Sequence, residues 1–488
     1  MHKQHAIIVG AGPAGLTAAH YFLKLTDIKP IVIEQEKFVG GLSRTVEFRG
    51  NRMDIGGHKF STKNDEVLSL WQKIFPAQGA PALDEKILGR ESVLVDGGAN
   101  PEVVDEVFLN RNFTSESFCR RKLFPQPVTL NFDTVKKFGL GEMFSIGASF
   151  LKTKFHQRDE KNLEDFMVNR FGQKFYEIFF RDYMTKILGR TPQEIDASLI
   201  SQQLNAFSLG ETSSEKIFYP KLGTGQFWEK FVAEIKSHGG EVLTSTKLKS
   251  FRVVDKKIRA AVVETPAGTL TFPVDYYLSS MPLAELANAL DEKILPARPR
   301  QIAKNLSYRN FIIVGLLVDK MLLKNHTAIK TFGDIVPDCQ IDVHEPSVKL
   351  GRLQIFNNRS PYLVADPKNS VLLGLEYFCN EGDELWRMSE DNLTKFAADE
   401  LASIGIIDTA DVRFGTQVKV PKAFPAYFDG CENISELRAA LDEIENLYCI
   451  GRNGQHRCHK MDHSMLTAIA AVCAIAGKFS KADVWKVN

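Results

Sequence analysis

No apolar run in this 488-residue sequence approaches the ~20 residues that cross a bilayer as a helix. The longest, such as Phe311 to Val318, stop far short. No C-x-x-C pair occurs among the seven cysteines, Cys119, Cys339, Cys379, Cys431, Cys449, Cys458 and Cys473. Their odd number and scatter argue against a disulfide framework or a zinc ribbon, and for a reducing compartment. Neither sign of charge is in excess. The 61 basic side chains meet 60 acidic ones, a net +1 that lends no support to nucleic acid or an anionic surface as a global partner. No signal-like stretch stands ahead of the first predicted strand. There is no internal repeat, no low-complexity tract and no evident Ser-His-Asp or Cys-His set. With 44% hydrophobic and 25% charged residues, the chain reads as a soluble, cytoplasmic protein of two or three domains.

Against those absences stands a glycine-rich series. It begins Ala6-Ile7-Ile8-Val9-Gly10-Ala11-Gly12-Pro13-Ala14-Gly15-Leu16 and continues with Ile31-Val32-Ile33-Glu34, Gly40-Gly41-Leu42-Ser43-Arg44 and Gly56-Gly57-His58. The spacing predicts a short buried strand over His5 to Val9 and a helix over Pro13 to Leu25. Gly10 permits the turn between them, Gly12 lets backbone approach a pyrophosphate, and Gly15 lets helix and strand pack closely. Free N–H groups at the helix start then face the phosphates. Glu34, ending the second strand at Pro30 to Ile33, can accept ribose hydroxyls and disfavours a 2′-phosphate. The series points to a dinucleotide, FAD, with NADP a poor fit at this first site.

The pattern returns twice. Gly223-Thr224-Gly225 opens a predicted helix through Trp228, Phe231 and Ile235, followed by a strand at Glu241 to Leu243, a hairpin, and a strand at Tyr276 to Ser279. A strand at Asn446 to Ile450 then leads through Gly451-Arg452-Asn453-Gly454 to an apolar helix from about His463 to Phe479. The fold expected is α/β: a discontinuous Rossmann-type (glutathione reductase-like) FAD domain over 1–98, 216–298 and 431–488. A mainly helical insertion (99–215) and a β-sheet substrate domain (299–430) interrupt it. Aromatics at 171–183 read as helix core. No second G-x-G-x-x-G follows a strand, so NAD(P)H, if it reduces the flavin, must borrow the substrate cleft as a transient reductant.

Asp462, His463 and Ser464 sit at the predicted start of the last helix. That start either is capped by Asp462 or Ser464 or offers its dipole to the flavin; the two are compatible. His456, Cys458, His459 and His463 match no zinc spacing, and no metal is expected. The cofactor is expected on Gly10, Gly12, Ala14, Gly15, Glu34, Gly41, Leu42, Ser43, Arg44, Gly57, His58, Gly451, Arg452, Met461 and Ser464. Arg181, in Phe179-Phe180-Arg181-Asp182-Tyr183, and Arg352, before Leu353-Gln354-Ile355-Phe356, stand among aromatics and strand residues. Such arginines either grip an anion together or pair with neighbours such as Asp182.

These pieces resemble the amine oxidase and protoporphyrinogen oxidase superfamily of FAD enzymes. More specifically, the chain resembles the UDP-galactopyranose mutase-like flavoproteins. The telling segments are Asp54-Ile55-Gly56-Gly57-His58, Glu164-Asp165-Phe166 before Arg181, Arg352 before Asn357-Asn358-Arg359-Ser360-Pro361-Tyr362, and Gly451 to Gly454 before Asp462-His463-Ser464. The resemblance implies that His58 and Arg452 lie beside the flavin, and that Arg181 and Arg352 bind a nucleotide-sugar diphosphate. His58, Arg181, Arg352 and Arg452 are thus the expected catalytic residues. It implies a nucleotide-diphosphate sugar as the small-molecule substrate and a redox-neutral ring isomerisation by reduced flavin. The departures are Phe424 and Cys458 in place of tyrosines, Phe124-Pro125-Gln126-Pro127 in place of a uracil-holding segment, and Leu188 in place of a tryptophan. The FAD framework is equally compatible with a net oxidoreductase acting on a C–N or C–C bond.

Overall fold

The protein is described by a computed structural model over residues 4–128, 132–197, 214–426 and 433–487. Cys431 and the expected boundary at 430/431 lie outside these residues, as does most of 198–215.

Five parallel strands form the first sheet, in the order Leu447–Cys449, Tyr276–Ser279, His5–Val9, Lys29–Ile33 and Glu241–Leu243. They come from three separated parts of the chain, as the returning glycine pattern predicts. Apolar runs such as Ile7-Ile8-Val9 are buried on both sheet faces, as a parallel sheet between helices requires. The helices Pro13–Leu25 and Met461–Ile475 pack together on one side. Their shared core reaches Trp71, whose Nε1 donates to Met465 Sδ at 3.3 Å. Buried Phe60 extends that core beneath the Gly56–His58 turn, its ring 5.0 Å from Trp71, 5.1 Å from Phe108 and 5.0 Å from Phe227.

The hairpin expected between Glu241–Leu243 and Tyr276–Ser279 is a three-stranded antiparallel sheet, Lys247–Val254, Lys257–Thr265 and Gly268–Pro273. The last helix begins at Met461 and ends at Ile475, earlier at both ends than expected.

A mixed eight-stranded sheet forms the second half. Next to its edge strand, Ser307–Val318 is paired on both sides, by Val371–Cys379 and by Val412–Ala426. Residues 99–215, expected to be mainly helical, carry five helices between Phe132 and Leu188, but also a strand that the sequence reading does not foresee. Phe108–Cys119 is a twelve-residue strand that pairs in parallel with Gln340–Val343 and antiparallel with Lys122–Pro125 and Ser214–Pro220. Alternating burial along Phe108–Thr114 is the period-two pattern of a strand. The aromatic-rich helices after it mask that signal when the stretch is read as one block. Those helices are as expected: Phe175, Tyr176, Phe179 and Tyr183 are buried, and the rings of Phe175 and Phe179 lie 4.9 Å apart.

Candidate cofactor and substrate site

A cleft of about 520 Å³ opens at the carboxyl ends of the parallel strands, where open α/β sheets bind their ligands. Gly10, Gly12, Ala14, Glu34, Gly41, Leu42, Ser43, His58, Gly451, Arg452, Met461 and Ser464 all line it. Three expected residues do not line it. Gly15 is structural: a Cβ there would meet the Gly10 carbonyl oxygen at 1.9 Å, so only glycine lets the first helix lie against the turn. Gly57 faces the second sheet, where a Cβ would meet Gln340 Oε1 at 2.7 Å. Arg44 lies with its guanidinium 5.4 Å from the Phe38 ring. Sequence reasoning missed Thr246 to Lys249 and Met281, Pro282, Glu285 and Asn288, which line the opposite wall.

The cleft is built of small residues. Gly12 and Gly41 approach so closely that a Cβ on Gly41 would stand 3.2 Å from Gly12 Cα, and one on Gly451 would stand 2.9 Å from Ala14 Cβ. Glu34 is held in place by the N–H groups of Ala11 (2.9 Å) and Glu36 (3.0 Å), with acceptor capacity left over for hydroxyls.

Two helix starts show why the cofactor belongs at the first. No side chain caps the helix Pro13–Leu25, and its first turn carries no acid. The helix Thr224–Ser237 is instead closed by protein: Thr224 N–H donates to Asp54 Oδ1 (3.0 Å) and Gly225 N–H to Thr45 Oγ1 (2.8 Å). The last helix also lacks a side-chain cap. Lys460, not Asp462 or Ser464, occupies its cap position, because Asp462 Oδ1 turns to the adjacent His463 N–H at 2.9 Å.

Two buried polar atoms of wall residues, His58 Nε2 and Asn453 Oδ1, have no partner among the described residues, where buried polar atoms ordinarily have one. Burial pushes the His58 imidazole down to about 4, helped by Arg452 and Arg359 and opposed by Asp54. It is therefore neutral at pH 7. Arg452 is anchored by its Nε to the His459 carbonyl at 2.9 Å. An uncapped helix start, glycine walls, a ribose acceptor and orphaned polar atoms at one end fit FAD.

Near His58, a Cβ on Gly56 would meet both His58 Nε2 at 3.3 Å and Phe311 Cζ at 3.7 Å. Phe311, Phe378 and Phe424 form an aromatic wall, with ring separations of 6.4 and 5.8 Å. Beside it runs a buried polar row. Arg352 donates from Nε to Asp342 Oδ1 (3.1 Å) and from Nη1 to Glu376 Oε2 (3.2 Å). Gln354 bonds Glu376 Oε1 at 2.9 Å, and Gln126 bonds Asp342 Oδ2 at 2.6 Å. Arg359 closes the row, bonding Gln354 and donating to the His58 carbonyl at 2.8 Å. Arg352 and Arg359 balance Asp342 and Glu376, so the row is neutral.

Arg181 lies elsewhere. Its side chain is 45% exposed and pairs with Asp182 at 3.3 Å. Gln126, in the segment likened to a uracil holder, is committed to Asp342. Leu188 is buried in the helical cluster, and Cys458 Sγ lies 4.0 Å from the Pro425 carbonyl.

The sequence pattern of the flavin containing amine oxidoreductases matches residues 13–476. The chain belongs to that family. Its cofactor is FAD. No curated protein matches the sequence. Among solved structures, a reduced UDP-galactopyranose mutase is similar at 18% identity and a TM-score of 0.76, over 99% of this chain and 97% of that one. A protein assigned as a protoporphyrinogen oxidase from Exiguobacterium sp. 255-15 is 16% identical, with a TM-score of 0.67 over 98% and 100%. Cyclohexylamine oxidase from Brevibacterium oxydans IH-35A is 13% identical, with a TM-score of 0.63 over 98% and 99%. At these identities the likeness establishes the shared fold. Among the described residues, no helix is long and apolar enough to cross a membrane.

Three histidines besides His58 are buried as neutral rings. Burial lowers His344 and His456 to about 4 and His459 to about 3, from an ordinary 6.5. The unfolded chain binds protons at these sites more readily, so their contribution to stability is complete above pH 6.5 and is lost as pH falls towards 4. The urea midpoint is expected to be flat near pH 7 to 8 and to drop below 6.5. Each histidine adds up to about 1.4 kcal/mol per pH unit to the slope. A midpoint constant down to pH 4.5 would show that these rings are not neutral in the fold.

Proposed function

We propose that the protein is an FAD-dependent oxidoreductase that moves hydride to or from a C–N or C–C bond of a small organic substrate lacking a diphosphate. The observation that carries this reading is the closure of Arg352 by two carboxylates, Asp342 and Glu376. A diphosphate placed there would face two buried anions and a row with no net positive charge. Arg181, exposed and paired to Asp182, supplies no second grip in this arrangement.

FAD, when bound, supplies two-electron hydride chemistry. The chain's own groups do the rest. The start of the helix Pro13–Leu25 holds the pyrophosphate and Glu34 the ribose. His58 is fixed through its carbonyl by Arg359 and lines the cofactor end of the cleft with a neutral ring. The wall of Phe311, Phe378 and Phe424 excludes water from the reacting bond and orients an apolar substrate body. In this reading residues 1–98, 216–298 and 431–488 serve the cofactor. The substrate sheet takes in Phe108 to Pro125 as well as 299–430.

A nucleotide-sugar ring isomerase is the second reading, supported by the TM-score of 0.76 to the mutase. It requires Arg352 to release at least one carboxylate and Arg181 to swing inward. The decisive experiment uses the holoprotein anaerobically in two arms. Oxidised protein is mixed with a panel of amines and saturated ring compounds, and dithionite-reduced protein with UDP-galactofuranose. Flavin bleaching by a member of the panel, with no sugar isomerisation, supports the oxidoreductase. Isomerisation by reduced protein without lasting change in the flavin spectrum would overturn it.

A further inference from the structure

We propose that the outward face of the helix Leu140–Phe155 docks the protein peripherally onto an anionic lipid surface. This sixteen-residue helix is about 24 Å long. Its inner face is fixed to the helical insertion. Ile146 and Thr153 are buried, and Ser149 Oγ accepts from the Lys174 N–H at 3.1 Å. Gly172 passes so close that a Cβ there would meet Phe150 Cα at 2.8 Å.

Among the described residues, the outer face has no such cover. Leu140 and Phe144 are each 80% exposed, Leu151 58% and Phe155 81%. Their spacing of i, i+4, i+11 and i+15 places all four within about 60° of arc on one side. Gly147, with open space where a Cβ would be, keeps the middle of the stripe flat. Scattered exposed apolar residues are ordinary, whereas a row of four along one helix marks an interaction surface.

The charge around the stripe says what covers it. Lys152 and Lys154 lie on the same helix and are exposed, and Lys136 and Lys137 end the helix before it. Arg120, Arg121 and Lys122 form the adjoining strand turn, where Lys122 Nζ reaches the Lys137 carbonyl at 2.6 Å. The helix's own acid, Glu142, is bonded to Arg120 at 2.9 Å. Glu345 accepts from the Arg121 N–H at 2.5 Å, so the cationic border is carried by Lys136, Lys137, Lys152 and Lys154. An apolar stripe bordered by lysines matches the interface of an anionic bilayer, with the rings at headgroup depth and the ammonium groups among phosphates. A two-fold second copy would instead set the same cationic border against itself.

The test uses the full-length holoprotein in flotation with two kinds of vesicle, phosphatidylcholine alone or mixed equally with phosphatidylglycerol. The expected result is at least tenfold more protein floating with the anionic vesicles. Phe144→Asp/Phe155→Asp should reduce this to background with its flavin spectrum intact. Lys152→Gln/Lys154→Gln should weaken binding and flatten its salt dependence. The proposal is overturned by either of two results: no flotation of the wild type with anionic vesicles, or undiminished flotation of the aspartate variant. Light scattering covers the remaining occupant. A wild-type dimer that becomes monomeric in the aspartate variant, with no vesicle binding, assigns the face to a second copy.

Discussion

Gly15→Ala is expected to yield protein that purifies almost without FAD. The new methyl group would lie 1.9 Å from the Gly10 carbonyl oxygen and 3.2 Å from Ile8 Cγ2. The first of these is backbone, in a turn tied by the Gly10 N–H to the Ile33 carbonyl at 2.8 Å, and cannot swing aside as a side chain can. The helix Pro13–Leu25 must therefore retreat, and its N–H groups leave the phosphates. The bound-flavin absorbance per protein is expected to fall at least tenfold, about 1.4 kcal/mol of lost affinity or more. Far-ultraviolet circular dichroism should change little, because the helix remains within a large apolar core. Gly12→Ala is the informative companion. Its Cβ would meet protein no closer than 3.7 Å, so any loss of FAD there reports how near the ligand itself comes. A Gly15→Ala protein with full flavin content would refute the packing role.

Arg352→Ala is expected to cost the fold about 3–5 kcal/mol, because it strands Asp342 and Glu376 as buried, unpaired carboxylates. Urea unfolding of the holoprotein measures this. Arg181→Ala, by contrast, removes an exposed pair and should change stability by ~1 kcal/mol at most. Adding Asp342→Asn and Glu376→Gln to the Arg352 variant should recover part of the loss, since the stranded charges disappear. If Arg352→Ala unfolds like the wild type, the arginine is not held by its acids. The main argument against a diphosphate substrate then falls.

The cofactor half was legible because its determinants are local. His5–Val9 and Pro13–Leu25 match the strand and helix read from spacing, and Gly10, Gly12 and Glu34 fall on the cleft wall because a strand-turn-helix unit fixes their places over a few residues. The substrate half was not, because its determinants are matters of register between distant strands. Arg352 stands directly across from Asp342 on one side and from Glu376 on the other, an acid–arginine–acid row over three antiparallel strands. No spacing within the sequence announces that register, so the sequence left open whether the arginine grips an anion or pairs with neighbours. Phe108–Cys119 was missed because the aromatic-rich helices after it mask its alternation, and one of its partners, Gln340–Val343, lies more than two hundred residues along the chain. Lys247 to Lys249 carry no motif and reach the cleft only because the Glu241–Leu243 strand ends beside Glu34.

The order of the parallel sheet also dictates a timetable. His5–Val9 takes one neighbour, Lys29–Ile33, from nearby sequence, whereas the other, Tyr276–Ser279, is itself bordered by Leu447–Cys449. During synthesis at ~5–20 residues per second, the first strand emerges about 20–90 seconds before the one that completes the sheet. Gly451 and Arg452, which close the cleft beside the glycine turn, arrive with that last strand. The nascent chain therefore carries its glycine fingerprint unfinished until Leu447–Cys449 has emerged, and FAD capture waits on that strand.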